Sequence, residues 1–391
     1  MRKKVLAVLL AAILALPLFS LSAAAEPIRS VTPPSVSAAS AILTDAEHGL
    51  VLFEKDADRR LPMASTTKIM TALTALANAE ADRVICVPHE AVGVEGSSVY
   101  LAEGEELTLC DLLFALLLQS ANDAAAAIAI GIGGSIAGFA DLMNAEAEKL
   151  GLTDTHFCNP HGLDDGEHYT TARELATVTR AALAVPLIRK IAGTVKATIP
   201  QGDDPDARLL VNHNRLLRSY SGAIGVKTGF TKKSGRCLVS AAERNGVTLI
   251  AVTLNAPDDW RDHAAMLDYG FTRYRTVALC TTGDSAYELP VTGGTVDSVT
   301  LRYAADLTVA LPIGHAPLNC TIEAPHFLFA PVLPDREVGC AVFTCDLDGD
   351  GKQEEIGRVP LVTGEKADRK QNQKRGFFAW LRRIIKKSKQ E

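Results

Sequence analysis

The chain has 391 residues, of which 47% are apolar and 22% are charged. This length and apolar content suffice for a large buried core and for more than one domain. The formal net charge of −6 becomes about −9 without the three cations of the N-terminal leader, and a cationic tail follows residue 365, so the body of the chain is acidic. An acidic body argues against nucleic acid as a partner.

The first 25 residues have the pattern of an export signal. Cations at residues 2–4 precede an apolar run over residues 5–21, and small residues precede a cleavage point that we place after Ala25. An uncleaved membrane anchor is disfavoured because the run is short and contains Pro17. In both cases the rest of the chain lies outside the cytoplasm, and residues 26–37 are expected to form a linker.

A serine followed three residues later by a lysine is the first chemically informative feature. Apolar residues at helical spacing predict a helix that begins at Ser65, and residues three apart share one face of a helix. The Lys68 amine can therefore reach the Ser65 hydroxyl and act as its base if burial or a second cation lowers the pKa of the lysine. Ser65 is equally consistent with a simple helix cap, for which serine is a preferred residue.

Further elements follow from the same kinds of pattern. Helices are predicted over residues 109–119, 124–132 and 139–150, with another that starts at residues 170–174. Hairpins are predicted from residues 41–43 to 51–53 and, through the turn signal Asn245-Gly246, from 235–240 to 247–254. Residues 83–108 are expected to form small strands and loops.

Two more short motifs follow the first in a fixed order. Ser120-Ala121-Asn122 closes an apolar helix, and Lys227-Thr228-Gly229 opens a strand. Taken alone, the first of these is also consistent with the junction of two helices, and Lys227 with an exposed lysine at a strand end. Together the three motifs form the signature of serine enzymes that recognise penicillin.

The loop over residues 159–166 contains His161, which invites a Ser-His-Asp or a metal interpretation. Neither is favoured, because Lys68 already supplies a base and no second histidine lies at ligand spacing. We expect His161 to shape the loop beside the cleft. The eight cysteines include no pair at zinc spacing; disulfides remain possible, and Cys237 is equally consistent with a buried free thiol. No metal or organic cofactor is expected.

From about residue 278 short β-type runs alternate with Gly, Pro and Asp turns, which predicts a small all-β sandwich over residues 278–364. Residues 346–351 resemble the start of a calcium loop, but Gly357 stands where such a loop needs a carboxylate. We therefore expect a hairpin turn between residues 341–345 and 356–362 in preference to a calcium loop.

Residues 365–391 predict a basic linker and an amphipathic helix. On a helical wheel one arc is apolar, with Phe377, Phe378, Trp380, Leu381, Ile384 and Ile385, and the opposite arc is cationic, with Arg382, Arg383, Lys386 and Lys389. This stretch is too short and too charged to span a bilayer, and it is typical of a helix that lies on an anionic membrane surface. The groove of a partner protein is a second site that such a helix could occupy.

The segments around the three motifs resemble the D-alanyl-D-alanine carboxypeptidase family of low-molecular-weight penicillin-binding proteins. The resemblance extends from about residue 38 to about residue 361 and is carried by residues 64–68, 120–124, 159–163, 169–173 and 225–229. It implies an α/β (α+β) penicillin-binding, β-lactamase-like domain over residues 38–277, in which helices flank an antiparallel sheet.

The resemblance also implies roles for single residues. Ser65 would be the nucleophile and Lys68 its base, Ser120 would pass the proton to the leaving group, and Asn122 would bind the substrate backbone. Lys227 would attract the terminal carboxylate of the substrate, Thr228 would bond it, and Gly229 would let the substrate lie against the strand edge. Arg261 would be a second carboxylate ligand, although Asp259 and Asp262 could equally hold it in a surface ion pair.

The expected function is that of an exported serine-type D-Ala-D-Ala carboxypeptidase, peripheral on the outer face of the cytoplasmic membrane. It would trim peptidoglycan stem peptides through an acyl-enzyme that β-lactams also form. A serine β-lactamase would need a deacylating carboxylate; Asp164, Asp165 and Glu167 are present, but the usual Glu-x-x-Leu-Asn word is not. A non-catalytic sensor of peptidoglycan or β-lactams, or a membrane-surface scaffold, would also be consistent with the sequence.

Overall fold

A computed structural model describes residues 32–202, 204–347 and 349–370. The predicted signal peptide and the predicted amphipathic helix lie outside these residues. Of the predicted linker, Val36 is buried, and Ser37 donates from its amide and its hydroxyl to Asp262, at 2.9 and 2.7 Å. The last residues of the linker are therefore packed against the domain that follows.

The strands are numbered here in chain order. They are β1 Ser40–Asp45, β2 Val51–Lys55, β3 Val84–Cys86, β4 Glu106–Thr108, β5 Lys196–Gln201, β6 Asp204–Val211, β7 Ala223–Thr231, β8 Gly235–Arg244, β9 Val247–Leu254, β10 Tyr274–Cys280, β11 Ser285–Thr292, β12 Ser298–Tyr303, β13 Leu307–Pro312, β14 Asn319–Glu323, β15 Leu328–Phe329, β16 Glu337–Cys345 and β17 Glu354–Thr363.

The α-helices are numbered in the same way. They are α1 Lys68–Asn78, α2 Leu109–Leu118, α3 Asn122–Gly133, α4 Ile136–Lys149, α5 Ala172–Ala184, α6 Pro186–Ala192, α7 Leu216–Ser219 and α8 Asp259–Phe271. Short 3₁₀ turns lie at Ala64–Thr67 and His89–Ala91. The four helices predicted after the first motif are thereby confirmed as α2 to α5.

The first domain is built on a five-stranded antiparallel sheet in the order β2-β1-β9-β8-β7. Both predicted hairpins are confirmed, and the turn between β8 and β9 uses positive φ at Asn245 (51°) and Gly246 (80°), as a two-residue hairpin turn requires. Strands β1, β8 and β9 are buried on both faces, because α1 and α5 pack on one face of the sheet and α8 on the other. Strand β7 forms the edge of this sheet.

The second domain is rich in β-structure, as predicted. A six-stranded sheet in the order β14-β16-β17-β12-β11-β15 and the pair β10-β13 share one apolar core. The predicted hairpin of β16 and β17 is confirmed, and the carboxylate of Asp346 accepts backbone bonds from Gly349 and Gly351 in its turn, at 2.7 and 3.0 Å. Strand β10 begins at Tyr274, so the predicted domain boundary at residues 277 and 278 falls inside it.

Two further features concern the length of the apolar helices and the state of the cysteines. Within the described ranges no single helix is long and apolar enough to cross a bilayer, and α3 and α4, which are bent by 82°, reach that length only when taken together. All eight cysteines are free thiols, and Cys237 is fully buried.

Candidate active site

Ser65 lies in the 3₁₀ turn that leads into α1, and Lys68 is the first residue of that helix. Ala64, directly before the serine, has a φ of 49°, a conformation that non-glycine residues rarely adopt. The tight turn places Nζ of Lys68 2.9 Å from Oγ of Ser65, within hydrogen-bond distance. The predicted pairing of the two side chains is thus present in the structure.

The Lys68 amine is completely buried and is held by two further acceptors. Its Nζ lies 2.7 Å from Oδ1 of Asn122 and 2.7 Å from the backbone oxygen of His161. The pKa of Lys68 is well below its usual value of 10.5, first because burial penalises the charged form and second because of the nearby Lys227, while Asp123 acts in the opposite direction. A neutral amine beside the serine can accept the hydroxyl proton.

The junction between α2 and α3 supplies the second motif. Ser120 lies in the junction with a φ of 60°, and Asn122 begins α3. Both ends of the Asn122 amide have a partner: Oδ1 accepts from Lys68, and Nδ2 donates to the backbone oxygen of Glu95 at 2.5 Å. Ser120 lines the cleft, whereas Asn122 contacts the Lys68 amine.

Lys227, Thr228 and Gly229 lie in the middle of the edge strand β7. Lys227 is buried and donates to the backbone oxygen of Thr228 at 3.0 Å, and burial lowers its pKa to about 7. A Cβ added at Gly229 would lie 3.0 Å from the Ser65 nitrogen and 3.1 Å from the backbone oxygen of Met63. A side chain at this position would push the strand or the 3₁₀ turn apart, so glycine suits the close approach of β7 to Ser65.

The loop that contains His161 closes the back of the site. The backbone oxygen of His161, and not its ring, contacts Lys68. The ring Nδ1 accepts from the amide of Leu163 at 3.2 Å. Burial, and then the charge of Lys68, lower the pKa of His161 to about 3. A Cβ at Gly162 would lie 1.9 Å from the Ala64 oxygen, so the loop packs tightly on the 3₁₀ turn.

A cleft of about 350 Å³ opens in front of these groups. Its lining comes from the 3₁₀ turn, the loop before β4, the α2–α3 junction, the segment after β6, strands β7 and β8, and the start of α8. The lining residues are Ser65, Ser97, Ser120, His213, Arg215, Thr228, Gly229, Phe230, Arg236, Asp259 and Trp260. Ser65 thus lies at the floor of a polar cleft beside the free edge of a sheet.

The chain is similar to known proteins over most of its length. The family model described as D-alanyl-D-alanine carboxypeptidase matches residues 28–258. The chain belongs to this family. It is a serine-type carboxypeptidase, and its fold is the one expected from the sequence.

Curated relatives and solved structures extend the match beyond the first domain. The chain is 31% identical to the D-alanyl-D-alanine carboxypeptidase DacF of Bacillus subtilis over 358 residues, which cover 89% of each chain. It is 33% identical to DacC of Escherichia coli over 369 residues, which cover 90% of this chain and 88% of the relative. Penicillin-binding protein 5 from Haemophilus influenzae superposes with a TM-score of 0.61 at 27% identity, covering 86% of this chain and 99% of its own.

Among the predicted site residues, Arg261 is the one whose side chain the structure turns to solvent. Its side chain is 85% exposed and lies 3.7 Å from Asp258. The buried face of α8 is formed by Asp259, Asp262 and the residues that follow at helical spacing, so position 261 points away from the sheet.

Arg236, which was not predicted from the sequence, occupies the cleft instead. It extends from β8, pairs with the buried Asp259 at 2.8 Å and lies 5.8 Å from the ring centre of Trp260. Its Nε and the Nε1 of Trp260 are buried and have no hydrogen-bond partner among the described residues. The Arg236 side chain is 42% exposed, so its guanidinium puts a cation at the wall of the cleft, where a carboxylate could bind.

The carboxylates that a β-lactamase could have used are engaged elsewhere. Asp164 accepts from Oγ1 of Thr231 at 2.9 Å, and Asp165 accepts from the amide of Glu167 at 2.8 Å. Neither these two residues nor Glu167 is among those that line the cleft. In the part of the chain that the structure describes, no group of three or more His, Cys, Asp or Glu side chains is placed to hold a metal ion.

Proposed function

We propose that this carboxypeptidase removes the terminal D-alanine from peptidoglycan stem peptides that end in D-Ala-D-Ala, through an acyl-enzyme on Ser65. The observation that carries the proposal is the 2.9 Å contact between the buried amine of Lys68 and the hydroxyl of Ser65. The names of the curated relatives support the substrate class.

Acylation begins when neutral Lys68 accepts the Ser65 proton. The serine Oγ bonds to the carbonyl carbon between the two D-alanines, and backbone N–H groups, including that of Ser65, stabilise the oxyanion. The peptide C–N bond then breaks, and Ser120 passes the proton from Lys68 to the departing amine. Water attacks the resulting ester, the C–Oγ bond breaks, and Oγ recovers its proton.

The two lysines divide their tasks according to their surroundings. Lys68 is buried and faces the charge of Lys227, so it is the one that stays neutral. Lys227, whose pKa burial lowers to about 7, gains charge when the substrate carboxylate arrives. This division supplies a base and a cationic anchor from two identical side chains.

The carboxylate end of the substrate lies between β7 and α8 in this proposal. Lys227 attracts the carboxylate, Thr228 donates its hydroxyl, and Arg236 takes the role that the sequence had suggested for Arg261. The guanidinium is kept in place by Asp259 and Trp260. Gly229 leaves room for the substrate backbone to add to the free edge of β7.

Asn122 positions the base in this arrangement of the cleft. Because its Oδ1 binds Lys68 and its Nδ2 binds Glu95, it orients the amine toward the serine. The Nδ2 atom carries a second N–H, which remains for the substrate contact expected from the family resemblance. Asn122 can therefore orient Lys68 and bind the substrate backbone at the same time.

The proposed setting is the outer face of the cytoplasmic membrane. The export pattern of the first 25 residues supports secretion, and the basic amphipathic pattern after residue 374 supports contact with an anionic membrane.

β-Lactams would acylate Ser65 because their strained amide enters the same cleft.

A covalent-labelling experiment tests the acyl-enzyme step. The chain from residue 26 onward is incubated with fluorescent penicillin, digested, and analysed by mass spectrometry. We expect the adduct on the peptide that contains Ser65, and none in Ser65→Ala. An adduct on another residue, or no adduct on a folded protein, contradicts the proposal.

A further inference from the structure

The second domain exposes three large apolar side chains in one short segment. Phe327, Phe329 and Leu333 have exposed fractions of 45%, 71% and 60%. The two phenyl rings pack edge to face with their centres 5.1 Å apart. Residues 324–334 contain no Asp, Glu, Lys or Arg. We call Phe327, Phe329 and Leu333 the apolar strip.

Backbone register keeps the strip outside the core. Ala330 and Val332, which alternate with the strip residues, are buried, so an extended chain places the strip on the solvent side. The segment is tied down at both ends: Phe329 pairs with Thr292 in parallel register, and Val332 exchanges backbone bonds of 2.8 and 3.0 Å with Ala367. The strip cannot turn inward without breaking these pairs.

The described chain ends beside this strip. The amide of Lys370 donates to the backbone oxygen of Gly293 at 2.8 Å, and Gly293 directly follows Thr292, the partner of Phe329. Because neighbouring strands are about 5 Å apart, these backbone pairs place the end of the described chain beside Phe329. Only six residues separate Lys370 from Phe377, the first apolar residue of the predicted amphipathic stretch, a span of at most about 25 Å.

Charges of both signs lie near the apolar strip. We therefore infer the partner of the strip from the cations of the tail. Lys366 pairs with Asp368 at 2.8 Å and Lys370 lies 3.7 Å from Asp297, so these lysines are largely compensated. The tail that follows has a large excess of Lys and Arg together with six large apolar residues. An anionic bilayer can accept the apolar strip, the apolar arc of the tail and the tail cations at the same time.

We propose that the apolar strip inserts into the same anionic membrane surface as the tail, so that the second domain itself contacts the bilayer. This inference rests on the membrane contact of the tail proposed above. Two contacts joined by a short linker bind more strongly than either alone, because the second is made at high effective concentration.

Vesicle binding tests the strip. The chain from residue 26 onward is sedimented with vesicles of phosphatidylglycerol and phosphatidylethanolamine, and the partition coefficient is measured. The variant Phe327→Ser/Phe329→Ser/Leu333→Ser should lose about tenfold or more in partitioning. The control Val84→Ser/Leu209→Ser, which removes apolar side chains of 58% and 60% exposure from the first domain, should stay within about twofold of the wild type.

Unchanged partitioning of the strip variant overturns the inference and leaves the tail as the sole contact. Release of D-alanine is measured on the same samples without lipid and should be equal in all of them. A wild type that binds vesicles but releases no D-alanine contradicts the proposed activity alone, so the two failures are distinguishable.

A fluorescence experiment distinguishes the bilayer from a protein occupant of the strip. In a Trp260→Phe/Trp380→Phe background, which removes both native tryptophans, emission from Phe329→Trp should be quenched by lipids brominated in their acyl chains, and emission from Leu209→Trp should not. Emission that is already blue-shifted without vesicles and unquenched with them would mean that the tail covers the strip. A dimer that the strip variant abolishes would mean that a second copy does; either result overturns the inference.

Discussion

The Nζ atom of Lys68 lies 2.9 Å from the Oγ atom of Ser65, in an environment that removes the lysine from water entirely. A charged amine in such a place is costly, and a second buried lysine nearby raises the cost further. The same burial that disfavours charge on Lys68 makes it a base at neutral pH. The reactivity of Ser65 therefore depends on the groups that keep Lys68 buried and neutral.

Replacement of the base should abolish turnover without unfolding the protein. Lys68→Met keeps the length of the side chain and removes the amine, so acylation by penicillin should slow by about 10²- to 10⁴-fold. The unfolding free energy should change little, because the loss of the bonds from Nζ to Ser65, Asn122 and His161 is offset by removing a buried polar group. Stopped-flow acylation and thermal unfolding measure the two effects. A variant that acylates within tenfold of the wild-type rate would show that another group is the base.

The pH dependence should report the two lysines separately. Lys68 must be neutral and Lys227 charged, so kcat/KM should rise with pH as Lys68 loses its proton and fall as pH passes the pKa of Lys227, about 7. Lys227→Arg stays charged over this range and should lose the falling limb, although its absolute rate is lower. The exposed Lys149→Arg is the control and should keep the wild-type profile. The same falling limb in Lys227→Arg would contradict the assignment.

The contact between Ser65 and Lys68 could be predicted from the sequence because their relationship is local. The three-residue spacing of Ser65 and Lys68 fixes their contact within one turn, and the apolar face of α1 fixes the helix. Arg236 and Asp259 lie on β8 and α8, and only the packing of α8 on the sheet brings them together. Arg261 was predicted as a carboxylate ligand from the family pattern, but its position on α8 directs its side chain toward solvent. The backbone oxygen of His161 carries no residue-specific signal at all.

The arginine assignment can be tested with matched variants and substrates. Arg236→Ala should raise KM for a peptide ending in D-Ala-D-Ala by about 10- to 100-fold, the usual value of a bond between charged groups. It should have little effect on the same peptide with a C-terminal amide, which lacks the carboxylate. Arg261→Ala should match the wild type on both peptides.

Arg236→Lys tests whether the charge alone is sufficient, since it keeps a cation beside Asp259. If Arg236→Ala raised KM equally for the acid and the amide peptides, Arg236 would only support the wall of the cleft. A large loss in Arg261→Ala would restore the prediction made from the sequence.

The close approach of β7 to the nucleophile predicts a steric effect at Gly229. Gly229→Ala places a Cβ 3.0 Å from the Ser65 nitrogen and 3.1 Å from the Ala64 Cβ, so the strand or the 3₁₀ turn must shift. Acylation should fall by about 10²-fold, with a loss of about 1–3 kcal/mol in unfolding free energy. Gly166→Ala, whose Cβ would have no neighbour within 4 Å, is the control. Normal acylation in Gly229→Ala would show that the contact does not position the serine.

The most direct test is release of free D-alanine from a diacetyl-Lys-D-Ala-D-Ala peptide by the wild type and by Ser65→Ala. The account predicts steady release by the wild type and none by the variant, which should remain folded because it loses only one hydroxyl. No release by a folded wild type that still binds labelled penicillin covalently would contradict the hydrolase and favour a sensor on the same fold.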